Sequence, residues 1–241
     1  MGAQWKHAGR TANASKRGAL ISKLIKEITV AAKGGDANPD NNPRLRAAVE
    51  AAKKASVPRD NIDRALKKAA GVGADQVIYE LVAYEGFTPH KVPVIVECLT
   101  ENKNRTAADI RVLFRKGQLG AQGAVSWQFD RHGVIEATRE GGGQDIEGAA
   151  IETGAQNVEP LEAADVPAGH TGARFFCDTS DLDSVTKALI QMGWTVTLSE
   201  FSYIAKSFTD LPEEQKKEVV EFLNLLDDND DVHRVYVALK S

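Results

Sequence analysis

Near residue 75 the periodicity of this chain changes, and that switch decides what it can fold into. Before it, apolar residues recur every third or fourth position. After it they run in short blocks rich in β-branched residues, separated by turn-prone clusters. A helical part must therefore precede a part built on sheets. At 241 residues, 42% of them hydrophobic, the chain has enough apolar surface for two or three small cores without disulfides or metals.

In the first part, Leu20, Ile21, Leu24, Ile25 and Ile28 predict a helix over 15–33 that stops at Gly34-Gly35. Lys16, Lys23, Lys26 and Lys33 fall opposite that stripe, while Arg17 falls towards it and extends past it. Pro43 opens a second helix, 43–55, that buries Leu45, Ala48, Val49 and Ala52 and leaves Arg46, Lys53 and Lys54 outside. Pro58 opens a third, 58–70, with Ile62, Ala65, Leu66 and Ala69 inward and Arg64, Lys67 and Lys68 outward. No one of these helices can bury its stripe alone, so the three must pack together. Residues 1–14 read as a flexible arm carrying Trp5, Lys6, His7 and Arg10, and Gly71-Val72-Gly73 reads as an exit linker.

In the second part, IYELVAYEGF and VPVIVECLT read as strands joined by the turn Thr88-Pro89-His90-Lys91. NRTAADIRVLFRKG is an amphipathic helix capped by Asn104 or Thr106, the latter spaced from Asp109 like a capping box. AVSWQFD reads as a strand and Arg131-His132-Gly133 as a turn. Strands near 133–138, 155–160, 171–178 and 194–203 then alternate with helices near 144–153 and 180–192, the order of a ferredoxin-like sandwich. The last helix, LPEEQKKEVVEFLNLL, and the last strand, VHRVYVAL, need a sheet to join, and the strands at 77–99 and 124–130 offer one. The expected fold is therefore α+β, in three domains. These are a helical domain at 1–73, a discontinuous α/β domain at 74–131 and 205–241, and a ferredoxin-like domain inserted at 132–204.

Charge follows the same division. Residues 1–70 hold 15 Lys and Arg against 6 Asp and Glu; the rest hold 15 against 28, for a net charge of −4. Such asymmetry is the mark of a part that meets polyanions, or of a basic face with an acidic partner inside the chain. No apolar run is long enough to span a bilayer, and the start lacks the apolar stretch of a secretory signal, so a cytoplasmic protein without membrane contact is expected. Cys98 and Cys177 read as small buried residues of a reducing compartment.

The sequence offers little for catalysis. The five histidines show no ligand spacing, and Gly117, Gly120 and Gly123 follow a helix where a phosphate-binding loop would follow a strand. Asp227, Asn229 and Asp231 imitate the start of an EF-hand loop, but Val232 and Ala238 stand where Gly and Glu are required, so these are read as helix-terminating acids. No catalytic residue, cofactor, metal or small-molecule substrate is implied, and no oligomeric state. The cations that remain suit nucleic-acid phosphates: Lys6, His7, Arg10, Lys16, Arg17, Lys23, Lys26, Arg46, Lys53, Lys54, Arg64, Lys67 and Lys68.

Five stretches carry a resemblance in order and spacing: SKRGALISKLIKEITVAAKGG, DNNPRLRAAVEAAKKASVPRDNIDRALKKAAG, YEGFTPHKVPVIVECLTENKNRT, GAVSWQFDRHGVI and LLDDNDDVHRVYVAL. Together they resemble the YebC family of bacterial and organellar proteins along nearly the whole chain. The resemblance implies three domains around a concave surface and a non-enzymatic transcriptional regulator that binds DNA. It also implies an alternative, a translation factor that meets ribosomal RNA through the same basic faces. Within the resemblance, Asn102 to Thr106 (NKNRT) is either a functional signature or a strand-to-helix cap.

Overall fold

The computed structural model describes residues 14–69 and 79–240, apart from the side chains of residues 14–17 and 43. Three helices, α1 (Ala14–Lys33), α2 (Pro43–Lys54) and α3 (Arg59–Ala69), precede two four-stranded sheets, which confirms the α+β class. The described chain divides into two compact units. One holds α1 as far as Lys26, the chain from Tyr79 to Asp130 and that from Tyr203 to Lys240; the other holds residues 27–69 and 131–202.

In the first unit, β1 (Glu80–Phe87) and β2 (Pro93–Thr100) form an antiparallel hairpin in register from Glu80 opposite Thr100 to Phe87 opposite Pro93. The short β3 (Gln118–Leu119) and β8 (Val232–Val237) complete the sheet in the order β3-β1-β2-β8. Every residue of β2 is buried, as its unbroken apolar run requires. Two helices, α4 (Lys103–Leu113) and α7 (Glu213–Asp227), complete the core, where Phe114 and Phe222 meet edge to face at 5.3 Å. Gly117 is packed so closely that a Cβ there would lie 2.4 Å from the Phe87 carbonyl oxygen. Gly117→Ala is expected to cost about 1–3 kcal/mol, seen as a lower urea midpoint at unchanged slope.

In the second unit the chain order β4 (Phe129–Glu140), α5 (Ile146–Thr153), β5 (Asn157–Pro160), β6 (His170–Cys177), α6 (Leu182–Gln191), β7 (Thr195–Ala205) gives the sheet order β5-β6-β4-β7. This is the ferredoxin-like arrangement expected from the alternating pattern. Its core centres on Phe175, fully buried and edge-on to Trp194 at 5.4 Å. The chain enters this sheet through β4 and leaves through β7, so the unit interrupts the first.

Two sequence expectations are corrected. Ser126–Gln128 form a single 3-10 turn, the strand begins at Phe129, and β4 runs without a break through Arg131-His132-Gly133. Gly133 marks close packing and not a turn: it pairs with Cys177, and a Cβ would come within 2.7 Å of that sulfur. Consequently the segment 124–130 gives the first sheet no strand, and β3 takes that place. The caps expected at Asn104 or Thr106 also fail, since both lie inside α4. Asn102 caps α4, accepting the Arg105 N–H at 3.1 Å, and Thr106 is fully buried one turn later.

Candidate nucleic-acid interface

α2 begins where its sequence directs. Asn42 sits in extended conformation, its side-chain oxygen accepts the Leu45 N–H at 3.0 Å, and its amide donates to the Ala31 carbonyl at 2.9 Å. One residue thus caps α2 and closes the end of α1. With Leu45, Ala48, Val49 and Ala52 of α2 and Ile62 and Ala65 of α3 buried, the polar faces of both helices turn to solvent.

Lys53 and Lys54 occupy the last turn of α2, and Lys67 and Lys68 that of α3, with Arg64 one turn earlier; all five are exposed. Cations at these ends also complement the helix dipoles. Lys53 pairs with Glu50 at 2.7 Å. Lys54, Arg64, Lys67 and Lys68 make no ion pair among the described residues. Arg46 is engaged locally, donating to the Pro39 and Asp40 carbonyls at 3.1 and 2.7 Å and so bracing the turn before α2. Lys6, His7 and Arg10 lie outside the described residues, as do the side chains of Lys16 and Arg17.

Lys23 and Lys26 do not face outward as helical spacing suggested. Lys23 donates to the carbonyl and the side chain of Asp227, the latter at 3.1 Å. Lys26 is only 9% exposed and donates to the Leu99 and Asp230 carbonyls and to the Asp231 carboxylate, at 3.2, 2.8 and 2.9 Å. An ammonium group so far from water needs such partners. For Lys23 and Lys26, therefore, the second of the two possibilities raised by charge alone holds: their acidic partners lie within the chain.

Asp231 organises that partnership. Its carboxylate, 5% exposed, accepts from Lys26, from the Arg105 guanidinium at 2.9 and 3.2 Å and from the Thr106 hydroxyl at 2.8 Å. Burial alone would push this carboxyl up; the hydrogen bonds from Lys26, Arg105 and Thr106 outweigh it and hold the group below the ordinary aspartate value. The Asn102–Thr106 signature and the acidic run at 227–231 are thus two halves of one network. Asn102 caps the helix, while Arg105 and Thr106 bind Asp231. Sequence reading singled out both stretches but had no means of pairing them across 126 positions. Beside them lies a polar cavity of about 500 Å³, lined by Ser22, Lys26, Tyr79, Arg105 and Asp231 among others.

Neither cysteine is poised for nucleophilic chemistry. Both are buried, and burial pushes the Cys98 thiol up to about 12 and the Cys177 thiol to about 11.

The order of these elements matches known proteins over the full chain. Residues 2–72 match the TACO1/YebC protein N-terminal domain, and residues 79–239 match the TACO1/YebC second and third domain. A probable transcriptional regulatory protein of Pseudomonas syringae pv. syringae is 52% identical, with 99% of each chain covered. One of Bdellovibrio bacteriovorus is 48% identical, covering 99% of this chain and 100% of its own. The crystal structure of a conserved hypothetical protein from Aquifex aeolicus superposes with a TM-score of 0.78 at 38% identity, over 99% of this chain and 96% of that one. Sequence, element order and fold agree, and the chain belongs to the TACO1/YebC family.

Proposed function

We propose that this protein is a DNA-binding transcriptional regulator that meets nucleic-acid phosphates through the outer faces of α2 and α3. The observation that carries this reading is the set of four exposed cations, Lys54, Arg64, Lys67 and Lys68, at the ends of two adjoining helices and without ion pairs among the described residues. Long side chains free of carboxylates can exchange counterions for phosphates at little cost. Lys6, His7, Arg10, Lys16 and Arg17 also meet phosphates in this reading, and Lys53 joins Lys54 by giving up an exposed pair with Glu50. Lys23 and Lys26 are left out, because their charges are already met by Asp227 and Asp231. The names of the relatives, probable transcriptional regulatory proteins, support the regulator role.

Contacts of this kind hold the backbone without reading sequence. Neutralising Lys54, Arg64, Lys67 and Lys68 to Gln is expected to weaken duplex DNA binding uniformly across sequences. The slope of log affinity against log salt should become shallower by about 3 to 4. Fluorescence anisotropy over a salt series measures both. An unaltered slope, or a wild-type protein that binds no duplex at micromolar concentration in low salt, refutes the reading.

A further inference from the structure

One cationic patch of the first unit is left without acids. Residues 79–130 and 203–240 hold 15 Asp and Glu against 11 Lys and Arg, so carboxylates are in excess. Lys103, Arg105, Lys206, Lys216 and Lys240 each pair with one. Arg111, Arg115 and Lys116 do not. All three are exposed and make no ion pair among the described residues. Lys91 and Lys217 share that state but stand elsewhere, one on the β1–β2 turn and one in α7, which also exposes Glu213, Glu214, Glu218 and Glu221.

The fold gathers these three. Thr106, Ile110 and Phe114 are buried, so α4 and the 3-10 turn after it, Phe114–Lys116, turn Arg111 and Arg115 to solvent about one helical turn apart, with Lys116 next in the chain. Gly117 stops that turn, its N–H donating to the Phe114 carbonyl at 3.1 Å. No Asp or Glu occurs from Ile110 to Phe129. The buried Glu85 commits both carboxylate oxygens as a clamp on the loop that follows, accepting the backbone N–H groups of Gly123, Val125 and Ser126, each at 2.8 Å. It pairs with no cation among the described residues. Val112 is the one large apolar side chain exposed on α4, so the contiguous apolar patch of a protein docking face is absent there.

We infer that this end of α4 is a second phosphate-contacting surface, which meets the sugar-phosphate backbone of a nucleic acid. The inference rests on the nucleic-acid-binding reading above but uses other residues, in the other unit. Charge selects the occupant. Three cations left unmatched in an acid-rich unit call for a polyanion, and each of the two guanidinium groups can give a phosphate two parallel hydrogen bonds. With no carboxylate to give up, each contact releases a counterion without breaking an ion pair. Such contacts read no sequence, so the surface contributes affinity and salt dependence.

Anisotropy titrations of the full chain over a salt series test this, with a DNA duplex and an RNA duplex of equal length; polyglutamate and phosphatidylglycerol vesicles are the control probes. Replacing Arg111, Arg115 and Lys116 by Gln should make the slope of log affinity against log salt on a duplex shallower by about 2 to 3. Arg115→Gln alone should do so by about 1. Arg111→Lys combined with Arg115→Lys should leave the wild-type slope, because the slope counts charges. The duplex on which the change appears identifies the backbone as DNA or RNA. A wild-type slope for the triple variant on both duplexes overturns the inference, as does a loss confined to polyglutamate or to the vesicles. If only the variant of Lys54, Arg64, Lys67 and Lys68 becomes shallower, this inference fails and the proposed function stands. If only the variant of Arg111, Arg115 and Lys116 does, the reverse holds. A wild type that binds neither duplex removes both.

Discussion

Replacing Asp231 by asparagine is expected to destabilise the unit that contains it by about 3–5 kcal/mol, the cost typical of removing one partner from a buried ion pair. The midpoint of its thermal transition should fall by about 10 °C or more. The reason lies in what is left behind. Lys26, 9% exposed, keeps its ammonium with only carbonyl partners, and Thr106, fully buried, loses an anionic acceptor. The asparagine amide would also present donors to Lys26 and Arg105, which only donate. Lys26→Met in the same chain should recover part of the loss, because the stranded charge disappears with it. The coupling from a double-mutant cycle over the two sites measures that recovery. A single variant within about 0.5 kcal/mol of wild type would show that the network does not hold the α1 helix in place. The pH dependence has a defined sign. The Asp231 carboxyl is depressed in the folded protein, so its contribution is complete above the ordinary aspartate value, near 4, and is lost as pH falls through the lower folded value. The difference between wild type and Asp231→Asn should therefore shrink in acid.

Glu85→Ala is the second large effect. Three N–H groups lose their acceptor, and that of Val125 is buried. At about 1–3 kcal/mol for each donor left without a partner, a total near 3 kcal/mol or more follows, less whatever water recovers for Gly123 and Ser126. The damage should be local. Amide exchange of Val125 and Ser126 should accelerate first, while β2 keeps its protection, because the loop opens without the sheet. Unchanged exchange at Val125 would contradict the clamp. Glu85 obeys the same rule of sign as Asp231. Burial pushes its carboxyl up, the three backbone N–H groups more than offset this, and the group ends below its ordinary value. Lowering the pH through that folded value should therefore loosen the loop of the wild type towards the state of the variant.

Much of the architecture was legible because local pattern and final environment agree. Apolar spacing located α2 and α3 to within a residue or two, and alternation located the strands of the ferredoxin-like unit. The pattern misled where a residue has two possible reasons to be present. Gly133 looks like a turn and is a packing site; Thr106 looks like a cap and is a buried hydrogen-bond donor. The charged residues were read least well. Helical geometry places Lys26 opposite the apolar stripe of α1, yet Leu20 of that stripe is 49% exposed and Lys26 is buried. The segment that covers it lies 205 positions away, and no local period reports so distant a partner. Lys54, Arg64, Lys67 and Lys68 were read correctly as exposed because no acid among the described residues competes with solvent for them. Trp127 was absorbed into an expected strand, since an aromatic residue between apolar blocks favours that state unless something such as Glu85 holds it elsewhere.

The same distance has a bearing on biosynthesis. Lys26 emerges from the ribosome long before Asp231 has been made, and β2 also has to wait for β8 to cover its flank. The inserted sandwich, whose strands all fall within residues 129–205, is complete before that. Translation must therefore pass Asp231 before Lys23 and Lys26 are neutralised, and a polypeptide terminated earlier retains two bare ammonium groups that the folded chain conceals.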